Sequence, residues 1–195
     1  MSTADDVAYA ARLYRIGNRS WKRALNPVNP YRLHIRSLAV GRCLDVGCGF
    51  GRNLGYLRNS SNVGVEPNAS LRTLARELGH TVIAPEDVQH SLQREEFDNL
   101  IFSHVLEHLL PDQHPAILNN YLPYLKSGGR VIVRIPQRAG FDSDDDHRHF
   151  WTLDSMQTFL ESNHLTISKK GTFPFPELGG TFFKYNEWFL VATKQ

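Results

Sequence analysis

The sequence predicts an α/β domain built on a mostly parallel sheet with helices on both faces. Three observations lead there. Short apolar runs rich in Val, Ile and Leu alternate with stretches of helical spacing, the pattern of strands joined by crossover helices. A glycine turn, Gly47-Cys48-Gly49-Phe50-Gly51, sits where the first run gives way to a helix. The chain of 195 residues suffices for a single sizeable core and contains no internal repeat or low-complexity linker.

The elements follow in order. Residues 5–25 read as a helix, with Val7, Ala11, Leu13, Tyr14, Ile16, Trp21 and Leu25 apolar. Asn26-Pro27-Val28-Asn29-Pro30 breaks it, because each proline disfavours helix at the residue before it. A short helix is predicted over 31–38. Strands are predicted over 42–46, 62–66, 81–84, 97–102 and 130–135. Between them lie helices beginning at Asn53 and spanning 70–78 and 115–125, the last capped at Ser127-Gly128-Gly129. A helix over 153–162 precedes two further strands, 165–173 and 181–192. No helix separates those two, so they should run antiparallel.

Composition bounds the function. Hydrophobic residues at 41% and charged residues at 22% are ordinary for a globular protein and exclude disorder and collagen-like structure. No apolar run approaches the roughly 18 residues that span a bilayer. The first residues lack a basic stretch followed by an apolar one, so no secretory signal is expected. Cys43 and Cys48 match neither a Cys-x-x-Cys redox pair nor a zinc knuckle, and the chain reads as cytoplasmic and reduced. The net charge of +2 is uneven: residues 1–42 carry eight basic and two acidic side chains, the remainder 14 and 18. That excess fits a solvated helix face or a positive lid over an anionic substrate, and is too small to argue for nucleic acid.

Ligands of such sheets bind beyond the carboxyl ends of the strands, which confines the search to the segments after Val46, Glu66, Ala84, Phe102 and Ile135. The first segment, Asp45-Val46-Gly47-Cys48-Gly49-Phe50-Gly51-Arg52-Asn53, departs from the Gly-x-Gly-x-x-Gly that seats a pyrophosphate on a helix end. Asp45, just before the first glycine, would repel phosphates but could hold an ammonium group. Glu66, 21 residues later at the end of the second strand, is placed to accept from both hydroxyls of a ribose. An amino group, a ribose and no phosphate describe S-adenosylmethionine. A ligand-free turn and a nicotinamide site are the alternatives.

The stretch from Cys43 to Asn53 resembles the first motif of class I S-adenosylmethionine-dependent methyltransferases. Val63-Gly64-Val65-Glu66-Pro67-Asn68 resembles their second. The run from Phe97 through Val105-Leu106-Glu107-His108 resembles their fourth-strand motif, and Leu125-Lys126-Ser127-Gly128-Gly129 their Leu-Lys-Pro-Gly-Gly turn with Ser127 in place of proline. The motifs occur in the family order. The resemblance implies a Rossmann-like sheet of seven strands in the order 3-2-1-4-5-7-6 with the seventh antiparallel. A helical lid over 1–38 would precede a cofactor-binding domain over 39–195. It also implies cofactor contacts: Asp45 near the amino group, Gly47, Gly49 and Gly51 with Asn53 around the methionine part, and Glu66 and Pro67 at the ribose. Glu86 or Asp87 would lie near the adenine, and Ser103 and His104 beside the methionine chain.

An alcohol is a poor methyl acceptor unless its proton is removed as the bond forms, whereas an amine needs only to arrive neutral. The expected catalytic residues are therefore histidines. His147 stands first, in the loop Asp142-Ser143-Asp144-Asp145-Asp146-His147-Arg148-His149 after the fifth strand, with His149 and His104 behind it. A solvated loop is the bland alternative for this run, and a surface position is the expectation for His108. Asp144, Asp146 and His147 are candidate ligands for Mg²⁺. Tyr14, Arg15, Asn18 and Trp21 fall on nearly one helical face, which reads as a packing stripe or as a lid, and with Phe150 and Tyr185 they are the candidates to line the substrate site. The Asp-rich His loop and the closing Tyr185-Asn186-Glu187 resemble small methyltransferases that modify methylated mannose oligosaccharides. The expected activity is thus O-methylation of a small molecule, a sugar above all, with a homodimer as the candidate assembly. N-methylation of an amine, RNA modification and a non-catalytic cofactor-binding module are the alternatives.

Overall fold

The structure is a computed structural model that describes residues 29–195. The helix expected over 5–25, with Tyr14, Arg15, Asn18 and Trp21, lies outside the described residues. Helix α1 (Pro30–Leu38) starts where Asn29 accepts from the amides of Tyr31 (3.0 Å) and Arg32 (3.3 Å), with Pro30 at its first position. Strand β1 (Cys43–Val46) leads into α2 (Arg52–Tyr56), and β2 (Val63–Val65) into α3 (Ala69–Glu77), capped by the Asn68 side chain. Then come β3 (Val82–Ile83), a 3₁₀ turn (Pro85–Asp87), α4 (Val88–Ser91), β4 (Phe97–Ser103) and α5 (His114–Tyr121). The chain closes with β5 (Leu125–Pro136), α6 (Arg138–Phe141), α7 (Leu153–Ser162), β6 (Leu165–Phe173) and β7 (Glu187–Lys194).

The seven strands form one sheet in the order β3-β2-β1-β4-β5-β7-β6. β1 to β5 are mutually parallel where they pair, and β7 runs antiparallel to both neighbours. The expected topology stands. Central strands are covered on both faces, which is why they read as nearly unbroken apolar runs. Leu44, Leu100, Phe102, Val131 and Val133 pack on one face with Leu118 of α5 and Met156 and Leu160 of α7. Cys43, Ile101, Ile132 and Val191 face the other way, against Ile35 and Leu38 of α1. The last helix of the segment expected as a lid is therefore seated in the core.

Two boundaries differ from the sequence expectation. The helix expected over 115–125 gives way to a 3₁₀ turn at Leu122–Tyr124, where Pro123 has no amide to donate. Gly128 does adopt a left-handed φ of 72°, but in an irregular stretch of β5 where the pairing jumps from Phe97–Leu125 to Asn99–Arg130. The strand expected from 181 begins at Glu187. Before it, the Asn186 side chain accepts from the Phe175 amide (2.9 Å) and donates to the Gln137 side chain (2.8 Å), holding the chain in a loop. At the far edge, the β6–β7 register shifts between Ile167 and Lys169.

One charged pair lies inside the sheet. Arg134 of β5 donates through Nε (2.8 Å) and Nη2 to Oε1 of Glu187 at the start of β7, and each side chain is 2% exposed. Removing one member of such a pair strands the other charge and costs roughly 3–5 kcal/mol. Glu187→Gln is expected to lose stability of that order in urea unfolding at neutral pH, and a loss below about 1 kcal/mol would mean that the pair is dispensable.

Candidate active site

The carboxyl edge of the sheet gathers most of the residues singled out in the sequence. After β1, the amides of Gly47 and Cys48 donate to the Val65 carbonyl (2.8 and 3.1 Å), which turns the chain across β2. Gly49 has a left-handed φ of 57°, and a β-carbon there would meet nothing within 4 Å. Gly51, at φ 87°, differs: a β-carbon would come within 2.4 Å of the His80 ring. The loop is therefore packed from behind at Gly51 and open at Gly49, so a ligand can lie against the backbone there.

Glu66 braces this loop. Its Oε2 accepts from the Gly49 amide and its Oε1 from the Asn68 amide, both at 2.8 Å. Burial raises its pKa against the pull of those two bonds. Each carboxylate oxygen keeps a further lone pair for a donor. Pro67 is exposed, with its carbonyl accepting from Arg72, and Glu86 and Asp87 are exposed in the turn after β3.

Asp45 is 1% exposed. Its Oδ1 accepts from the Asn53 side chain (3.3 Å), while its Oδ2 has no partner among the described residues. Burial pushes its pKa up to about 7. Oδ1 of Asn53 and Oγ of Ser103 are buried and unpartnered as well. Asp45 and Ser103 lie on adjacent strands, since Val46 pairs with Phe102. Unsatisfied buried polar atoms are rare in folded proteins, and Asp45, Asn53 and Ser103 make this end of the sheet a candidate ligand-facing floor.

His104 follows β4 with a left-handed φ of 59°. Its Nδ1 meets Glu107 Oε1 at 3.1 Å and its Nε2 meets Glu187 Oε2 at 2.9 Å. Burial lowers its pKa, and the two carboxylates more than reverse this, so the imidazolium is favoured. With both ring nitrogens donating, His104 has no lone pair for a substrate proton. The ring thus links Glu107 to Glu187 through its two nitrogens.

The loop after β5 docks on the segment after β4: the amides of Arg148 (2.7 Å) and His149 (3.1 Å) donate to the Glu107 carbonyl. His147 donates from Nδ1 to the Phe141 carbonyl (2.8 Å) and stacks on the Phe141 ring, which leaves Nε2 as its lone-pair nitrogen. Its ring centroid is 4.8 Å from that of His108. His108 is thus drawn into the site instead of lying apart on the surface. His149 packs edge-on against Trp151 and beside His114, and Phe150 contacts Phe141 edge-on with Arg138 over its face. Tyr185 is 45% exposed beside Phe183, and its carbonyl accepts from Tyr31.

Among the described residues, the group whose ligand atoms come together is Glu107, His108 and His147, all within 4.8 Å of one another. Asp144 and Asp146 do not join it; Asp144 instead accepts from the Asp146 amide and shapes the turn. Glu107 and Glu187 were not singled out from the sequence. A carboxylate flanked by His104 and His108 was the available signal for the first, whereas Glu187 reaches the site only through the pairing of β7 with β5.

A family model described as a methyltransferase domain matches residues 15–168, and the chain belongs to that family. Its sheet order is that of class I S-adenosylmethionine-dependent methyltransferases. A TehB-like S-adenosylmethionine-dependent methyltransferase from Corynebacterium glutamicum superimposes with a TM-score of 0.69 at 20% identity, covering 100% of both chains. An S-adenosylmethionine-dependent methyltransferase from Archaeoglobus fulgidus gives 0.64 at 17% identity, covering 97% of this chain and 94% of the other. The 1,6-didemethyltoxoflavin N1-methyltransferase of Burkholderia thailandensis, solved with its substrate and S-adenosylhomocysteine, gives 0.61 at 17% identity over 100% of this chain and 92% of its own. No curated protein matches the sequence. The chain is an enzyme of the S-adenosylmethionine-dependent methyltransferase class. No helix among the described residues is long and apolar enough to cross a membrane.

Asp45 links this site to stability. Its folded pKa of about 7 lies above the ordinary carboxyl value of 3.8, so its contribution is complete below that lower value and is lost as the pH rises through about 7. Asp45→Asn should therefore raise the melting temperature of the ligand-free protein at pH 8 and change it little near pH 4. The gain is a few kcal/mol at most, since one pKa unit corresponds to about 1.4 kcal/mol. Equal shifts at the two pH values would show that Asp45 is not held above its ordinary range.

Proposed function

We propose that this methyltransferase transfers a methyl group from S-adenosylmethionine to a hydroxyl of a small molecule, a sugar above all, with His147 as general base. The observation that carries the proposal is the fixed His147 ring. Its Nδ1–H is committed to the Phe141 carbonyl, so its lone pair sits on Nε2, and the residue itself lies in the cluster with Glu107 and His108. An amine acceptor would need no such group. The exposed rings of Phe175, Phe182 and Tyr185 offer faces on which a sugar could stack.

In this proposal the unpartnered Oδ2 of Asp45 receives the ammonium group of the cofactor, the open backbone at Gly49 lies along its methionine part, and Glu66 accepts from the ribose hydroxyls. Gly47, Gly51 and Asn53 hold the loop, and Ser103 offers its free Oγ from the neighbouring strand. Pro67 borders the ribose, and Glu86 and Asp87 lie on the adenine side. The bound cofactor supplies a methyl carbon already activated by its sulfonium. His147 draws the proton from the acceptor hydroxyl onto Nε2 as the acceptor oxygen bonds to that carbon, and the electron pair of the broken C–S bond stays on sulfur. Alignment of the two reacting atoms can supply roughly 7–11 kcal/mol of the barrier reduction.

Two measurements test this. Glu66→Ala removes hydrogen bonds to a charged acceptor worth about 1.5–3 kcal/mol each, so calorimetry should show cofactor affinity falling at least tenfold, and Gly49→Val should block binding. Unchanged affinity in both variants would remove the cofactor assignment. His147→Ala should lower the turnover of a hydroxyl acceptor by about 10²–10⁴-fold while cofactor affinity stays near normal. Full activity on that acceptor would instead point to an amine substrate.

A further inference from the structure

We infer that Glu107, His108 and His147 form a binding site for a divalent transition-metal ion such as Zn²⁺ or Mn²⁺. The donor set comes from two loops, Glu107 and His108 after β4 and His147 after β5, and one ligand atom of each lies within 4.8 Å of the others. That spacing is wider than the ~3.4 Å separating ligands on bonds of about 2.1 Å, so small rotations of the two half-buried rings close the site.

Proximity is the weaker part of the case; the arrangement around the donors is the stronger. The Nδ1 of His108 meets the Asp146 carbonyl at 3.3 Å and that of His147 meets the Phe141 carbonyl at 2.8 Å. In each ring the proton is thus held on Nδ1 and the lone pair falls on Nε2. A backbone carbonyl behind the distal nitrogen is the usual support of a metal-bound imidazole, because it fixes tautomer and orientation together. Glu107 supplies the third donor. It is 1% exposed; its Oε1 is occupied by His104, and its Oε2 has no partner among the described residues. A buried carboxylate oxygen without a donor is costly to fold, and a cation shared by Glu107 and the two imidazoles would remove that cost.

The donor types select the ion. Two imidazoles and one carboxylate suit Zn²⁺, Mn²⁺ or Fe²⁺, whereas Mg²⁺ prefers a shell of oxygens. Three protein ligands leave positions open, and an acceptor hydroxyl bound there is acidified by the ion. This last step rests on the hydroxyl methylation proposed above, and with an ion bound it replaces His147 as the base. In the metal-bound enzyme the hydroxyl proton leaves to water, because Nε2 of His147 is occupied. The methyl group still passes to the acceptor oxygen, and the electron pair still returns to sulfur.

The test uses the full chain, stripped with a chelator and then titrated with Zn²⁺ and Mn²⁺ by calorimetry and with Co²⁺ by visible absorption. One ion per chain is expected, with the absorption bands of a nitrogen- and oxygen-ligated Co²⁺. His108→Ala and Glu107→Gln should each weaken binding by at least ~100-fold, beyond the ~10–100-fold that follows loss of an outer hydrogen-bond partner. His108→Ala is the cleaner variant, because Glu107 also holds His104. His90→Ala, an exposed histidine on α4, should bind as the parent does. Absence of saturable binding for all three ions, or equal binding in His108→Ala and the parent, overturns the site. Full-rate methylation of a hydroxyl by metal-free protein that binds no ion also overturns it, and leaves His147 as the base. A bound ion with methylation of amines alone would keep the site and overturn the hydroxyl assignment.

Discussion

Arg134 and Glu187 meet inside a sheet where water cannot help either of them, and much of the carboxyl edge is arranged around that encounter. Glu187 spends one oxygen on the guanidinium and the other on His104. His104 passes the link on to Glu107. The backbone carbonyl of Glu107 then anchors the loop that bears His147. Four side chains of alternating charge thus run from β5 to β7 and on to the segment after β4, whose backbone holds the loop after β5. Burial would ordinarily favour a neutral Glu187; the Arg134 guanidinium and, after it, the His104 ring hold its carboxyl well below the usual range. A buried pair of this kind contributes little net stability compared with an apolar one, but it penalises every arrangement in which the partners fail to meet. Here it fixes the register of β7 against β5 and the position of the histidine loop together.

The sheet was legible because its strands carry local signals: apolar runs buried on both faces, glycines at the turns and helices of sufficient length between them. The candidate cofactor loop was legible for a similar reason, since Asp45, Gly49 and Glu66 lie within one strand–helix–strand unit at short sequence spacings. The acceptor side is assembled differently. Glu187 reaches His104 across 83 positions, and His147 reaches the Glu107 pair from another loop. No periodicity encodes such meetings; only the strand pairing brings them about. The Asp-rich run shows the limit well. Four acidic residues in five positions suggested an ion, yet they shape a turn, and the donors that converge include a glutamate hidden between two histidines.

Asp45 shows what a buried carboxyl asks of a fold. Its β1 position is flanked by Leu44 and Val46, both in the main core cluster, and its own side chain is buried with an oxygen unsatisfied. Natural proteins hold such strained groups where function needs them and offset them elsewhere. Here the surrounding strands, packed on both faces, supply the rigidity that keeps the carboxylate in place.

The two rims of the sheet bear on how the protein behaves in company. β3, at one rim, is two residues long. β6, at the other, is interrupted where its register shifts at Ile167 and Lys169, and it carries the adjacent cations Lys169 and Lys170. A strand that is short, irregular or charged makes a poor template for a foreign strand seeking free amides and carbonyls. The most apolar strands are the inner ones, shielded by their neighbours. The sheet is thereby closed to growth by strand addition, and crowding of many copies should not readily convert it into a continuous ribbon.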